Sequence, residues 1–315
     1  MKYLELKQNI KNEILPVYTV IGNDDYLISN AIKIIKKSTV DQAQEINFDV
    51  FNDENYDIQA IFNSTQQLAF ISNRRLLVVY LPEKVKKDDI ELLTNYTLNP
   101  NLDVVLVIVD KQEVFKKGEI IDCNRLNNQD LLKVVPNLLK KYNKTITADG
   151  ANFIIEVCQN DTMKISKELE KLAFYCENEL IRREDIEQII KPDLQFEVFK
   201  LINYIAVKNK NMVMKQINSL LDNKQDVMGV ISLISLTFRR MFYCKISNLP
   251  TQELADKFGV KPYAISKAKE NANSFSQKQL KKILEICEEV DYLTKQSQLS
   301  PSNALHVLVF SILII

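Results

Sequence analysis

Phosphate chemistry has one natural place in this chain, the turn after the first apolar run, which reads VIGNDDYLISNAI from Val20 to Ile32. A strand-to-helix turn holds an anion through backbone N–H groups and the helix N-terminus. A working phosphate loop further requires G-x-x-x-x-G-K-[ST], with glycines for close approach and a lysine for the phosphates. Gly22 is present, but Ile28 stands where the lysine is required, Ser29 follows it, and no Gly-Lys pair exists. Asp24 and Asp25 add negative charge where phosphates would lie, so the turn is expected not to bind nucleotide. The apolar run LDVVLVIVD ends in Asp110, the place of a metal-holding acid, yet Lys111 follows where a catalytic glutamate would stand. Asp110 is read as a polar residue at a strand exit. The one histidine, His306, lies in an apolar terminal segment and is read as structural; no G-x-S-x-G, Cys/His pairing or metal-ligand spacing is found. Neither a catalytic residue nor a metal or cofactor site is expected.

The remaining chemistry is that of binding. In QQLAFISNRRLLVVYLPE, Gln66 to Glu83, the unbroken apolar run Leu76–Leu81 before Pro82 reads as a strand buried on both faces. Phe70 and Ile71 are harder to place. They precede Ser72, Asn73, Arg74 and Arg75, where a connection should run over the surface. Either they fold back to close the sheet's apolar face, or they are held out for a partner. Arg74 and Arg75 read as rim or helix-end charges.

The elements that must position these residues follow from apolar periodicity. Val17–Ile21, Asn47–Phe51, Leu76–Leu81, Leu102–Val109 and Glu119–Cys123 read as strands; Asp25–Lys37, Tyr56–Leu68 and Lys87–Tyr96 carry helical spacing between them. Alternation of this kind predicts an α/β domain with a parallel sheet. After about Leu126 the strand pattern stops. A connecting helix leads to three helical segments, Ala151–Cys158, Met163–Cys176 and Arg183–Ile190. Beyond Pro192 everything is helical again, beginning Phe196–Lys208, Met212–Leu221 and Val227–Leu249.

With 315 residues the chain should fold as two or three domains. Its 41 basic and 41 acidic residues exert no global pull toward DNA or membrane. Residues 201–315 hold 15 Lys and Arg against 9 Asp and Glu, a weak basic bias that a solvated lysine-rich surface also explains. Five scattered cysteines, never in C-x-x-C spacing, are expected to be reduced and mostly buried. MKYLELKQNIKNEI lacks a signal peptide's apolar stretch and cleavage site. ALHVLVFSILII has 12 residues, fewer than the ~20 a bilayer requires, and reads as a buried terminal helix. A cytoplasmic protein without a membrane partner is expected.

Several stretches together resemble the delta subunit family of the bacterial DNA polymerase III clamp loader over nearly the whole chain. VIGNDDYLISNAIKII is similar to the family's opening strand, glycine and D/E-x-Y-L helix. LAFISNRRLLVVYLPE resembles its clamp-contacting segment, KISKELEKLAFYCENELIRREDIEQII its lid helices, and LADKFGVKPYAISKAKENANSFSQKQLKKIL its collar. The resemblance implies an AAA+-like domain without a working phosphate loop (residues 1–140), a three-helix lid (141–193) and a helical collar for oligomerisation (194–315). It also implies a non-hydrolysing subunit of a DNA-directed DNA polymerase holoenzyme. Such a subunit binds and opens the ring-shaped sliding clamp (beta). It assembles with ATP-hydrolysing gamma/tau subunits and delta-prime, and meets primed DNA through the complex. The family's clamp-inserting pair, often Leu-Phe or Phe-Phe, falls on Phe70 and Ile71, which reverse the aromatic position but keep the bulk. Leu68 is expected beside them, with Gln66, Gln67 and Arg74 as supporting contacts.

A rival reading comes from LPTQELADKFGVKPYAISKAKENA, where two short helices about Phe258-Gly259-Val260 have the form of a helix-turn-helix with Lys257, Lys261, Lys267 and Lys269 for phosphate contact. A regulator of this kind would bind a particular duplex. A chain with its own ATPase would instead bind nucleotide between Gly22 and Ser29.

Overall fold

The computed structural model describes residues 1–40, 42–222 and 226–315. The chain divides into two compact units, one of residues 1–146 and 161–180, the other of residues 147–160 and 181–315.

The first unit is built on a parallel sheet of β1 (Val17–Ile21), β2 (Phe48–Phe51), β3 (Arg75–Tyr80), β4 (Val104–Asp110) and β5 (Glu119–Asp122), in the order β2-β3-β4-β1-β5. Each expected strand is present, β1 with the expected ends and the others within two residues of theirs. The helices of this unit are α1 (Tyr3–Asn12), α2 (Asp25–Thr39), α3 (Ile58–Thr65), α4 (Lys87–Leu98) and α5 (Asn128–Leu139).

Alternation along the strands divides the apolar residues between two cores. Tyr18, Val20, Leu76, Val78, Val105 and Val107 pack with Leu6 of α1 and Leu27, Ala31 and Ile35 of α2. Val17, Leu77, Val79, Leu106 and Ile108 pack on the other face with Ile61 of α3 and Leu93 and Tyr96 of α4. Covering both faces leaves β4 buried at every position, which is why its sequence is continuously apolar and not alternating.

Two local readings that bear on the candidate site change in the folded chain. Helix α3 ends at Thr65, not Leu68; Thr65 Oγ1 donates to Phe62 O at 2.7 Å, and the N–H of the capping Gln66 bonds Asn63 O and Ser64 O. Gln66 to Arg74 therefore form a non-helical connection. Arg75 is no rim charge. It opens β3 as a buried residue, and its guanidinium pairs with Asp49 on neighbouring β2. Strand pairing brings these residues close, a relation that the linear sequence does not display.

In unit assignment, α6 (Ala148–Val157) and α8 (Arg183–Ile189) belong to the second unit and α7 (Thr162–Tyr175) to the first. The second unit continues with α9 (Leu194–Ala206), α10 (Lys210–Asp222), α11 (Val227–Ile246), α12 (Thr251–Phe258), α13 (Pro262–Ala272), α14 (Gln277–Lys295) and α15 (Pro301–Ile314). Helix α11 is long and apolar enough to cross a membrane by length and composition, but Val230, Ile231, Ile234, Phe238 and Met241 place it in the unit's hydrophobic core. Helix α15 is buried along Ala304, Leu305, Leu308, Val309 and Ile312, whereas Val307, Phe310 and Ile314 are exposed. The terminal helix is thus covered on one side only. All five cysteines are free thiols.

Candidate partner-binding site

The phosphate position is closed from within. Asp24 caps α2: its Oδ1 accepts from the N–H groups of Tyr26 and Leu27 at 3.0 and 3.1 Å, and its Oδ2 accepts from Thr162 Oγ1 at 2.8 Å. A carboxylate thus takes the helix N-terminal amides that would otherwise hold an anion. Gly22, at φ +128°, lies directly against the exit of β5, where the Asp24 N–H bonds Cys123 O at 3.2 Å. Burial, then Asp122 and Asp24, push the Cys123 thiol up to about 12, so it stays protonated and non-nucleophilic.

Asp110 is buried at the end of β4 and accepts the N–H groups of Gln112 at 2.9 Å and Phe115 at 2.6 Å. Its carboxylate builds the following turn. Among the described residues no group of three or more His, Cys, Asp or Glu is placed to hold a metal ion. Asp24→Ala is expected to cost about 1–2 kcal/mol by loss of the cap, measured by urea unfolding, without creating ATP binding in calorimetry.

The opposite end of the sheet carries a different surface. Because the five strands of this sheet are parallel, the α3–β3 connection meets it at the N-terminal edge of β3, whereas the Gly22 turn leaves the C-terminal edge of β1. In that connection Leu68 is 73% exposed, Phe70 53% and Ile71 67%, with Gln66 and Gln67 also exposed. Phe70 does not close the sheet; Leu77, Val79 and Ile61 already fill that face. Arg74 Nη1 donates to Ile14 O at 2.7 Å, tying the connection to the segment after α1.

Phe70 is exposed as a side chain but held as a backbone. Its N–H donates to Asn47 Oδ1 at 2.7 Å, and its carbonyl accepts from Asn47 Nδ2 at 2.7 Å. Asn47 is completely buried, and Ile71 adopts a left-handed backbone at φ +54°. In the sequence Asn47 is only the first residue of an expected strand. Ile46, immediately before it, is another half-exposed apolar residue that the reading did not single out. A groove of about 430 Å³ lined by Phe62, Gln66, Leu92, Tyr96 and Asn101 extends the same surface between α3 and α4. The arrangement suits insertion of apolar side chains into a partner pocket with amide groups at its margin.

The helix-turn-helix segment folds as two helices about Gly259, which is left-handed at φ +61° and ends α12. Leu254, Ala255 and Ile265 are buried in a small core between them, and Ala264, Ala268 and Ala272 of α13 are buried too. The exposed positions of α13 are Ser266 and Glu270. Lys269 donates to Leu249 O and Thr251 Oγ1, and Lys267 pairs with Glu270. A helix with an outward glutamate and internally engaged lysines is poorly suited to a DNA groove. His306 Nδ1 lies 2.9 Å from Ser302 O and its ring stacks on Phe310, a structural placement.

Comparison with known proteins matches residues 18–122 to the family described as DNA polymerase III, delta subunit, and residues 195–312 to the DNA polymerase III delta subunit, C-terminal domain. The chain is similar to DNA polymerase III subunit delta of Bacillus subtilis (strain 168), 24% identical over 327 residues, covering 96% of this chain and 94% of that one. It is also similar to the subunit delta of Buchnera aphidicola subsp. Schizaphis graminum, 26% identical over 227 residues, covering 66% and 64%. Among solved structures, the Bacillus subtilis DNA clamp loader delta protein has the same fold, with a TM-score of 0.73, 23% identity, and coverage of 99% of this chain and 100% of the other. With both of its matched regions in the expected order on this fold, the chain belongs to the DNA polymerase III delta subunit family.

Proposed function

We propose that this chain, a delta subunit of the DNA polymerase III clamp loader, binds the ring-shaped sliding clamp through Phe70 and Ile71 and biases the ring toward opening for loading on primed DNA. The carrying observation is an adjacent apolar pair exposed to solvent on a connection whose backbone is fixed to the sheet. Burying two such side chains in a pocket contributes about 3–5 kcal/mol. Leu68 adds area beside them, and Gln66 and Gln67 supply polar contacts. Arg74 supports the connection from below through Ile14 O.

The action is thermodynamic. A surface that fits the open ring better than the closed one shifts the ring's population by the difference between the two affinities and no further. This reading requires no nucleotide chemistry from the chain itself; Asp24 at the α2 N-terminus favours a non-hydrolysing subunit. ATP-hydrolysing gamma/tau subunits and delta-prime complete the complex in this reading, which places the protein in the cytoplasm. Residues 1–140 serve as the AAA+-like clamp-binding domain, 141–193 as the lid and 194–315 as the collar. The exposed stripe of Val307, Phe310 and Ile314 on α15 supports an oligomerising role for the collar.

The test is binding of the purified chain to the same organism's sliding clamp by surface plasmon resonance, beside duplex DNA over a salt series. Tight clamp binding with weak, steeply salt-sensitive DNA binding is expected. No clamp binding, or tight binding to one duplex sequence, would overturn the proposal.

A further inference from the structure

We infer that Asn47 is a positioning residue for clamp recognition: its buried side-chain amide holds the Phe70 backbone in the geometry that presents Phe70 and Ile71. The inference rests on the clamp-binding role of that pair.

A side-chain amide that accepts from the N–H and donates to the carbonyl of the same distant residue copies the pairing of a narrow β-bridge. Asn47 makes both bonds to Phe70, each at 2.7 Å across 23 residues of sequence. Its Nδ2 also lies within hydrogen-bond distance of Gln42 O at 3.1 Å and Ala43 O at 3.2 Å. The Asn47 main chain is fixed independently: its carbonyl accepts from Leu76 N–H at 2.8 Å and its N–H donates to Ala43 O at 3.1 Å. One residue at the entry of β2 thus ties the connection to the sheet. Without it, the Phe70 N–H and carbonyl would turn to water, and the connection would sample many arrangements.

Two further features fit a positioning role. Ile71 sits at φ +54°, a region that β-branched residues rarely occupy, so the connection is held against its local preference. Phe70 and Ile71 are both exposed, so their own packing does not supply the hold. At Phe70 itself the hold is the pair of bonds to the Asn47 amide, beside the Arg74 bond to Ile14 O farther along the connection. It selects one conformation before the partner arrives, and a binder already in its competent conformation avoids the population penalty of finding it.

A double-mutant cycle tests this. Asn47→Ala is expected to weaken clamp binding about 10- to 30-fold, the penalty for a competent conformation populated only a few per cent of the time. In a Phe70→Ala/Ile71→Ala background the same change should weaken residual binding by less than about 2-fold, because the side chains it positions are gone. Equal losses in both backgrounds would assign Asn47 a purely structural role and overturn the inference, as would unchanged affinity in Asn47→Ala. If Phe70→Ala/Ile71→Ala itself binds as the native chain does, the clamp-binding reading has failed instead. Amide exchange of the native chain decides the matter should Asn47→Ala not fold. Slow exchange at Phe70 beside fast exchange at Leu68 supports the hold, and equally fast exchange overturns it.

Discussion

Phe70→Ala/Ile71→Ala is expected to bind the sliding clamp about 3–5 kcal/mol more weakly than the native chain, roughly a hundred- to several-thousand-fold in Kd. The size follows from removing most of two large apolar side chains from the centre of an interface, where a few residues carry most of the energy. Both side chains are largely solvent-exposed in the free chain, so the unfolding midpoint should hardly move; surface substitutions usually fall within about 0.5 kcal/mol. Loss of binding without loss of stability is the signature of a contact surface. A double variant that keeps native affinity would overturn the assignment.

Ile71→Gly sharpens the experiment. A left-handed backbone costs a non-glycine residue about 1–2 kcal/mol, and glycine removes that strain at Ile71. The added freedom of the unfolded chain returns part of the gain. Ile71→Gly should therefore be at least as stable as Ile71→Ala in urea unfolding while binding the clamp no better. A fall in stability to match the fall in affinity would mean that Ile71 supports the fold.

How much of this was legible in the sequence differs from element to element. The runs Val17–Ile21 and Leu76–Leu81 declared strands because a sheet covered on both faces leaves few polar positions inside, and β1 and β3 formed there. Asp24, Asp161 and Asp193 cap α2, α7 and α9 through N–H groups within the next three residues, a local pattern not used in placing those helices. Phe70 and Ile71 were ambiguous on their own residues, because composition does not say on which side of a surface an apolar side chain lies. The family resemblance pointed outward, and their exposure agrees. Asn47 was not legible. Its partner lies 23 residues away, and an asparagine before a strand has many ordinary uses. The Arg75–Asp49 pair escaped for the same reason: strand pairing creates it, and no periodicity announces it.

Gly22→Ala is the other substitution with a large expected effect, on folding and not on binding. A Cβ at Gly22 would lie 2.3 Å from Cys123 C and 2.4 Å from Asn124 N, both backbone atoms that no side-chain rotation can move aside. At φ +128° the conformation is itself strained for any residue with a Cβ. Relief requires β5 to retreat from β1 where Ile21 pairs with Asp122, so a loss of ~3 kcal/mol or more is expected. Urea unfolding measures it, and amide exchange in Val17–Ile21 should rise with it. A loss below about 0.5 kcal/mol would show that the β5 exit yields freely.

The prediction separates two uses of one glycine. In a phosphate loop the residue makes room for a ligand; here the room beside Gly22 is filled by the protein's own backbone, and the adjoining helix N-terminus by Asp24. At the other end of that sheet Leu68, Phe70 and Ile71 face solvent.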